Sequence, residues 1–299
     1  MNLSTARWGI ISATVATLIW SLNFIIARSV VETIPPVTLA FLRWGTATAL
    51  LLPFTWHLLK ESLPLLRNHL SYLLITSLLG VTLFNTLIYI ASHSTSALNL
   101  SLIAITFPVF IVLFSCWFLG ESIQRNRYLG IGLVVVGVLF LTTDGAPQQL
   151  LSQAWSSGDL WMLLAAILFA IYSILVRYKP EELGSRAFLI LTFLLGWLML
   201  LPWALWEQQS SAWPTLTLAS SGAVLYLGLF TSIISYFLWN HAVATIGPAN
   251  AGMIYYTLPL FSGIEAWLLL GEPITSVHLL SGGTIVIGIF IATRRPANR

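Results

Sequence analysis

The chain has 299 residues, of which 58% are hydrophobic and only 8% charged, with a mean hydropathy of +0.89. A water-soluble chain carries about 25% charged residues to keep its surface wet, so a soluble globular domain is excluded and the chain is read as membrane-embedded. The net charge of +3 comes from Lys and Arg standing singly or in small groups at the ends of apolar runs, a membrane-topology pattern rather than a phosphate-binding stripe, so no nucleic-acid partner is expected. The single cysteine, Cys116, excludes a disulfide framework.

A spanning helix needs about 20 mostly apolar residues. Runs of that size, bounded by charge, proline or short polar turns, predict ten spans. In chain order they are Trp8 to Ala27, Val37 to Trp56, Leu70 to Ser92, Ala97 to Leu119 and Tyr128 to Thr143, then Leu160 to Val176, Ala187 to Trp206, Leu216 to His241, Ala249 to Leu270 and Val277 to Thr293. The first run reads as a span rather than a cleaved signal peptide, because it is too long and lacks a clear small-residue cleavage site. The connections leave no room for a soluble domain, and successive spans must pack antiparallel. Orientation follows from Lys and Arg, which concentrate on the cytoplasmic side. With the N-terminus inside, Arg7, Lys60, Arg67, Arg125, Arg127, Arg177, Lys179, Arg186, Arg294, Arg295 and Arg299 are cytoplasmic, only Arg28 faces out, and Arg43 lies within a span. Ten spans return the C-terminus to the cytoplasm.

The chain also resembles itself. Arg28 matches Arg177 and Pro53 matches Pro202 at an offset of 149, His93 matches His241 at 148, and Pro108 with Gly120-Glu121 matches Pro259 with Gly271-Glu272 at 151. Gly132 and Gly137 recur as Gly283 and Gly288. The expected organisation is two five-span repeats, residues 1–147 and 148–299. Because five is odd, the second enters the membrane from the opposite side, the inverted arrangement that permits alternating access.

Ten short-looped spans in two halves, the stretch Leu39-Ala40-Phe41-Leu42-Arg43-Trp44, and a Gly-Glu pair closing spans 4 and 9 resemble the EamA family of the drug/metabolite transporter (DMT) superfamily. The resemblance covers the whole chain. Within that family the Trp- and Tyr-rich character is similar to bacterial amino-acid exporters of the YddG type. It implies an all-α basket with a central cavity lined by spans 1, 3, 4, 6, 8 and 9, with 2, 5, 7 and 10 more peripheral, in a bacterial inner membrane.

Two charges fall deep in spans. Arg43 lies about two turns into span 2 and Glu265 about two turns before the outer end of span 9. Intramembrane charges need a partner or a water-filled cavity, so the two are expected either to pair or to share a polar network at an outer gate, or else each is satisfied locally. Polar and aromatic stripes at helical spacing mark candidate cavity faces. Asn85, Tyr89 and His93 repeat every fourth residue in span 3, and Gly228, Ser232, Ser235 and Trp239 follow in span 8. Trp20 and Asn23 in span 1, Asn99 and Thr106 in span 4, Tyr172 and Ser173 in span 6, and Tyr255, Tyr256 and Ser262 in span 9 add further faces. Each stripe alone is more simply read as helix-packing contacts, but together they mark a site, because five or six polar faces must converge somewhere. Pro108 and Pro259 stand at matched mid-span positions, where each should bend its helix as a gate, a hinge or a static kink. His93 and His241 fit proton coupling or interface anchoring. Gly130, Gly132, Gly137, Gly282, Gly283 and Gly288 are expected in close packing seams of spans 5 and 10.

These features point to a secondary transporter exporting small metabolites, with amino acids including aromatic ones as the leading substrates and other organic solutes or drugs as the alternative. The partners expected are that solute and the lipid bilayer, with no obligatory protein partner. No cofactor is expected, since no G-x-x-x-x-G-K-[ST] cradle exists. An intramembrane enzyme lacks any G-x-S-x-G elbow or H-E-x-x-H pair, and a fixed channel fits the inverted repeat less well.

Overall fold

The computed structural model describes residues 3–30, 33–95, 100, 103–104, 106–120, 125–143, 145–152, 156–209, 213–270 and 275–293. Every regular element among them is helical. Helix α1 is Leu3–Val30, α2 Pro36–Asn68, α3 Leu70–Ser92 and α4 Thr106–Leu119. Next come α5, Arg125–Thr142, a short 3-10 turn, Pro147–Ser152, then α6, Ser157–Arg177, and α7, Ser185–Glu207. Helix α8 is Leu218–Ile246, α9 Pro248–Tyr255, α10 Leu258–Leu270 and α11 Ser276–Thr293.

Several helix ends are written locally. Ser156 and Asp159 form a reciprocal capping box at the start of α6, and Thr217 and Ser220 form another at the start of α8, each satisfying N–H groups that the first turn leaves free. Helix α8 stops at Gly247, whose φ of 85° is in the left-handed region, and Pro248 starts α9 at once, the glycine-stop and proline-start chemistry of helix termini. The carboxylate of Glu207, at the end of α7, accepts from the backbone N–H of Val37 and Thr38 and from the Thr38 hydroxyl. It thereby caps α2 from another helix, where a negative charge complements the helix dipole.

Five helices, α2, α3, α6, α7 and α8, are long and apolar enough to cross a membrane among the described residues. Phe54, Trp117, Leu218 and Leu279 point outward almost fully exposed, as a lipid-facing surface requires and a water-facing one would not tolerate in quantity. The most extensive inter-helix contacts are α5 with α11, α1 with α8, chiefly its second half, and α2 with α7; α6 packs on α3 and α4.

Two spans depart from expectation. Helix α2 continues twelve residues past Trp56 to Asn68, because His57 and Glu61 approach at 3.3 Å one turn apart and Lys60 lies 5.1 Å over the Trp56 ring. Charge ended the apolar run there without ending the helix. Span 9 is not one bent helix but two, α9 and α10, separated at Tyr256 and Thr257. Pro259 sits in the first turn of α10, where its missing N–H costs nothing. The chain before Pro108 is helical at residues 103–104 and again from Thr106, and the bend expected at Pro108 falls beside residue 105, which lies outside the described residues.

The glycine seam is partly corrected as well. A Cβ on Gly130 would fall 2.5 Å from the Gly288 carbonyl oxygen, and one on Gly288 would fall 2.7 Å from that of Gly130, so α5 and α11 touch backbone to backbone. Gly132 and Gly283 face open space and belong to no seam. The packing around this pair, with Val134, Val138, Ile285 and Tyr256, forms an apolar cluster separate from the main core.

Candidate functional site

The middle thirds of α3 and α8 are π-helical, over Leu78–Leu83 and Leu227–Ile234, two segments whose starts are 149 residues apart. A π-turn bonds residue i to i+5 and widens the helix, loosening the grip on individual carbonyls. Both segments use this freedom. The Gly80 carbonyl accepts a 2.5 Å hydrogen bond from the Tyr236 hydroxyl, and the Thr231 carbonyl accepts from the Trp20 indole at 2.9 Å and from Arg43 Nη2 at 3.2 Å. Glycine at position 80 is required by the close approach of Tyr172, whose ring would lie 2.3 Å from any Cβ there.

Beside these segments, among α1, α3, α6 and α9, lies a narrow cavity lined by Trp20, Asn23, Phe84, Asn85, Ile88, Phe169 and Tyr255. Its free volume is about 20 Å³, room for about one water molecule and far below the about 300–1,000 Å³ of small-ligand sites, so the wall must open to admit a solute. Aromatic rings make most of its wall and its second layer. Trp20 meets Phe169, Tyr236, Trp239 and Tyr255 with centroids 5.4 to 6.1 Å apart, and Phe107 approaches Tyr255 to 3.9 Å. Edge-to-face contacts of this kind hold ring positions beyond what burial alone does. The polar features of the wall are the amides of Asn23 and Asn85.

Asn85 donates to the Tyr236 hydroxyl at 3.1 Å, Tyr172 donates to Asn240 at 2.9 Å, and the Trp239 indole donates to Ser173 at 3.2 Å. Behind Asn23 stands Arg43, 1% exposed. Its Nε donates to Ser232 at 2.7 Å, Nη1 to Tyr89 at 2.8 Å and to Asn23 Oδ1 at 3.3 Å, and the guanidinium lies 5.2 Å from the Trp44 ring centroid. Leaving such a charge unpaired in a helix centre costs about 2.5–3.5 kcal/mol on insertion scales, so the ring of acceptors is needed for the helix to be stable there.

The expected partnership of Arg43 and Glu265 is not present as a pair. Glu265 is half-buried on α10 and accepts a 2.7 Å hydrogen bond from Ser21 of α1, while its second oxygen is buried without a partner. Arg43 is satisfied from α1, α3 and α8. Of the other expected site residues, Trp20, Asn23, Asn85 and Tyr255 reach the cavity wall, and Tyr172, Trp239 and Tyr89 stand behind it. Ser235 bonds back to the Phe230 carbonyl, and His93 is exposed at the end of α3. Tyr256 points into the separate cluster of α5 and α11. Pro108 lies on the contact between α4 and α9, 3.5 Å from where a Cβ on Gly252 would be. Asn99, Glu121, Gly271 and Glu272 lie outside the described residues, as does the Arg28 side chain.

Sequence reasoning missed Phe84, Ile88, Phe169, Tyr236 and Asn240. Tyr236 and Asn240 continue the four-residue spacing from Ser232 along α8, a signal present in the sequence as one helix face. Span 2 is also less peripheral than expected, since it supplies Arg43 and Trp44 to the core. Among the described residues no three His, Cys, Asp or Glu side chains converge as a metal site.

Fold and cavity together define a multi-pass, all-helical membrane protein built around a narrow, aromatic-walled cavity. The chain belongs to the EamA-like transporter family, whose model matches residues 7–143 and again residues 156–294. It is 26% identical over 281 residues to the uncharacterized transporter YetK of Bacillus subtilis (strain 168), covering 94% of this chain and 85% of that protein. It is 28% identical to an uncharacterized transporter of Archaeoglobus fulgidus, covering 93% and 94% of the two chains, and 28% identical to the uncharacterized inner membrane transporter YedA of Escherichia coli (strain K12), covering 92% and 87%. A solved crystal structure superposes with a TM-score of 0.73 at 19% identity over 95% of this chain and 96% of that one, a likeness of fold.

Proposed function

We propose that this protein is a secondary transporter that exports small metabolites, foremost amino acids including Trp, Phe and Tyr, by alternating access through the central cavity. The observation that carries the reading is the cavity itself: an aromatic wall of Trp20, Phe169 and Tyr255 interrupted by two amides, Asn23 and Asn85. Such a site offers ring faces to an apolar side chain and hydrogen bonds to a polar end. The two family matches within one chain and the paired π-segments of α3 and α8 support two repeats, residues 1–147 and 148–299, related as an inverted pair with both termini in the cytoplasm. The similarity to an inner membrane transporter supports a bacterial inner-membrane location.

In this reading Trp20, Asn23, Asn85 and Tyr255 touch the substrate, while Tyr172, Trp239 and Tyr89 hold the wall. The break between α9 and α10 before Pro259, and the Ser21–Glu265 contact that ties α10 to α1, supply the moving joint of the gate.

The test is uptake of labelled amino acids into proteoliposomes, with and without an imposed pH gradient. Saturable uptake of Trp, Phe or Tyr above protein-free liposomes is the expected result. Folded protein that moves none of them removes the amino-acid reading and leaves the alternative, export of other organic solutes or drugs, which the largely apolar wall also favours.

A further inference from the structure

Arg43 is a buried cation whose described partners are all neutral. Four of its five N–H groups are used, on Ser232, Tyr89, Asn23 and the Thr231 carbonyl, and none of these acceptors carries charge. Glu265, half-buried on α10, is committed to Ser21 instead. The fold therefore holds one net positive charge beside a cavity in a low-dielectric interior, where an unneutralised charge attracts an anion far more strongly than it would in water.

The geometry shows where that anion would go. Asn23 is both a wall residue of the cavity and a ligand of the guanidinium. Its 3.3 Å contact with Nη1 is the longest in the ring, and the unused N–H is on the adjacent Nη2. Displacing Asn23 Oδ1 would free one N–H on each of the two terminal nitrogens, the parallel fork that matches a planar carboxylate. Among the described residues Arg43 is the one cation beside this narrow space, directly behind Asn23, so charge balance favours a single carboxylate over a doubly charged phosphate.

We infer that the cavity selects solutes carrying one carboxylate, which Arg43 holds after displacing the side chain of Asn23. The inference rests on the reading of the cavity as the transport site and adds to it a requirement on the substrate: an anionic end at Arg43 and an apolar body against Trp20, Phe169 and Tyr255. A zwitterionic amino acid meets the requirement, and so does a simple aromatic acid without an amine.

Uptake into proteoliposomes of phenylalanine, 3-phenylpropionate, phenylalaninamide, phenethylamine and phenyl phosphate tests it. The two carboxylates are expected to be taken up at least about tenfold more efficiently than the amide, the amine or the phosphate, the loss that follows when a charge-assisted pair is missing. Arg43→Gln should abolish that preference, and Arg43→Lys should retain part of it. Asn23→Asp places a carboxylate permanently beside the guanidinium and should block carboxylate uptake while the protein remains folded, which keeps the test decisive if Arg43→Gln fails to insert. Uptake of 3-phenylpropionate without phenylalanine sustains this inference and overturns the amino-acid reading. Uptake of the amide or amine as efficiently as the acids, or preferential uptake of the phosphate, overturns the inference and leaves a transporter. Carboxylate preference surviving in folded Arg43→Gln or Asn23→Asp protein also overturns it, and no uptake of any probe overturns it together with the transport site.

Discussion

Helices α5 and α11 lie at the ends of the two segments that match the family model, and α3 and α8 lie within them, yet the two pairs are built on opposite principles. Helices α5 and α11 meet through Gly130 and Gly288 with backbone against backbone, in a dry cluster with Val134 and Ile285. Helices α3 and α8 are widened into π-turns, and the carbonyls that the widening loosens accept from Tyr236, Trp20 and Arg43, with Asn85 donating to the Tyr236 hydroxyl. Close packing without polar groups gives a rigid contact, because lipid supplies no hydrophobic drive and only complementarity holds the helices together. A polar, π-helical centre has hydrogen bonds that can be exchanged, so it can rearrange around a solute. The comparison separates the part that maintains the fold from the part that can work.

That separation can be broken by mutation. The largest effect should come from Gly130→Ala or Gly288→Ala. The new methyl meets a backbone carbonyl that cannot move aside, so each should cost about 3 kcal/mol. Thermal unfolding in detergent should drop sharply, while transport per folded molecule is unchanged. Tyr236→Phe should do the reverse. It strands the Gly80 carbonyl and the Asn85 amide at a cost of about 1–3 kcal/mol, and uptake should fall further than the unfolding temperature does. If uptake by Tyr236→Phe tracks stability alone, the polar centre is merely structural.

Smaller effects sharpen the contrast. Trp20→Phe keeps a ring in the wall but removes the N–H that reaches the Thr231 carbonyl. It should cost about 1 kcal/mol, read as a modest thermal shift with altered substrate affinity. Gly132→Ala and Gly283→Ala should change stability by less than about 0.5 kcal/mol, since neither glycine has a neighbour within 4 Å. Measurable loss in either would place a contact where the structure has none.

Much of this was legible in the sequence for definite reasons. Arg43 stood out because a charge in an apolar run is costly wherever the helix faces. Trp20, Asn23, Asn85 and Tyr255 stood out as polar or aromatic residues at helical spacing. The partners were not legible: pairing with Glu265, a shared polar network and local satisfaction all fitted the sequence, and only the structure surrounds Arg43 with neutral groups of three helices while Glu265 bonds Ser21. Phe84 and Phe169 were invisible because an apolar side chain reads the same whether it faces lipid, core or cavity. Gly132 was indistinguishable from Gly130, although two positions apart on a helix means nearly opposite faces.

The sequence by itself determined the solvent and the elements: hydropathy demands a bilayer, an apolar run of about 20 residues in hydrocarbon must close its own backbone bonds as helix, and capping residues and Gly247-Pro248 set where helices start and stop. Only the tertiary structure decided which faces meet, where α3 and α8 open into π-turns, and which groups surround Arg43. The reason is physical. Helix formation is local, satisfied within a few residues, whereas helix rotation is chosen by the sum of many weak contacts between segments far apart in the chain, and that sum has no local signature.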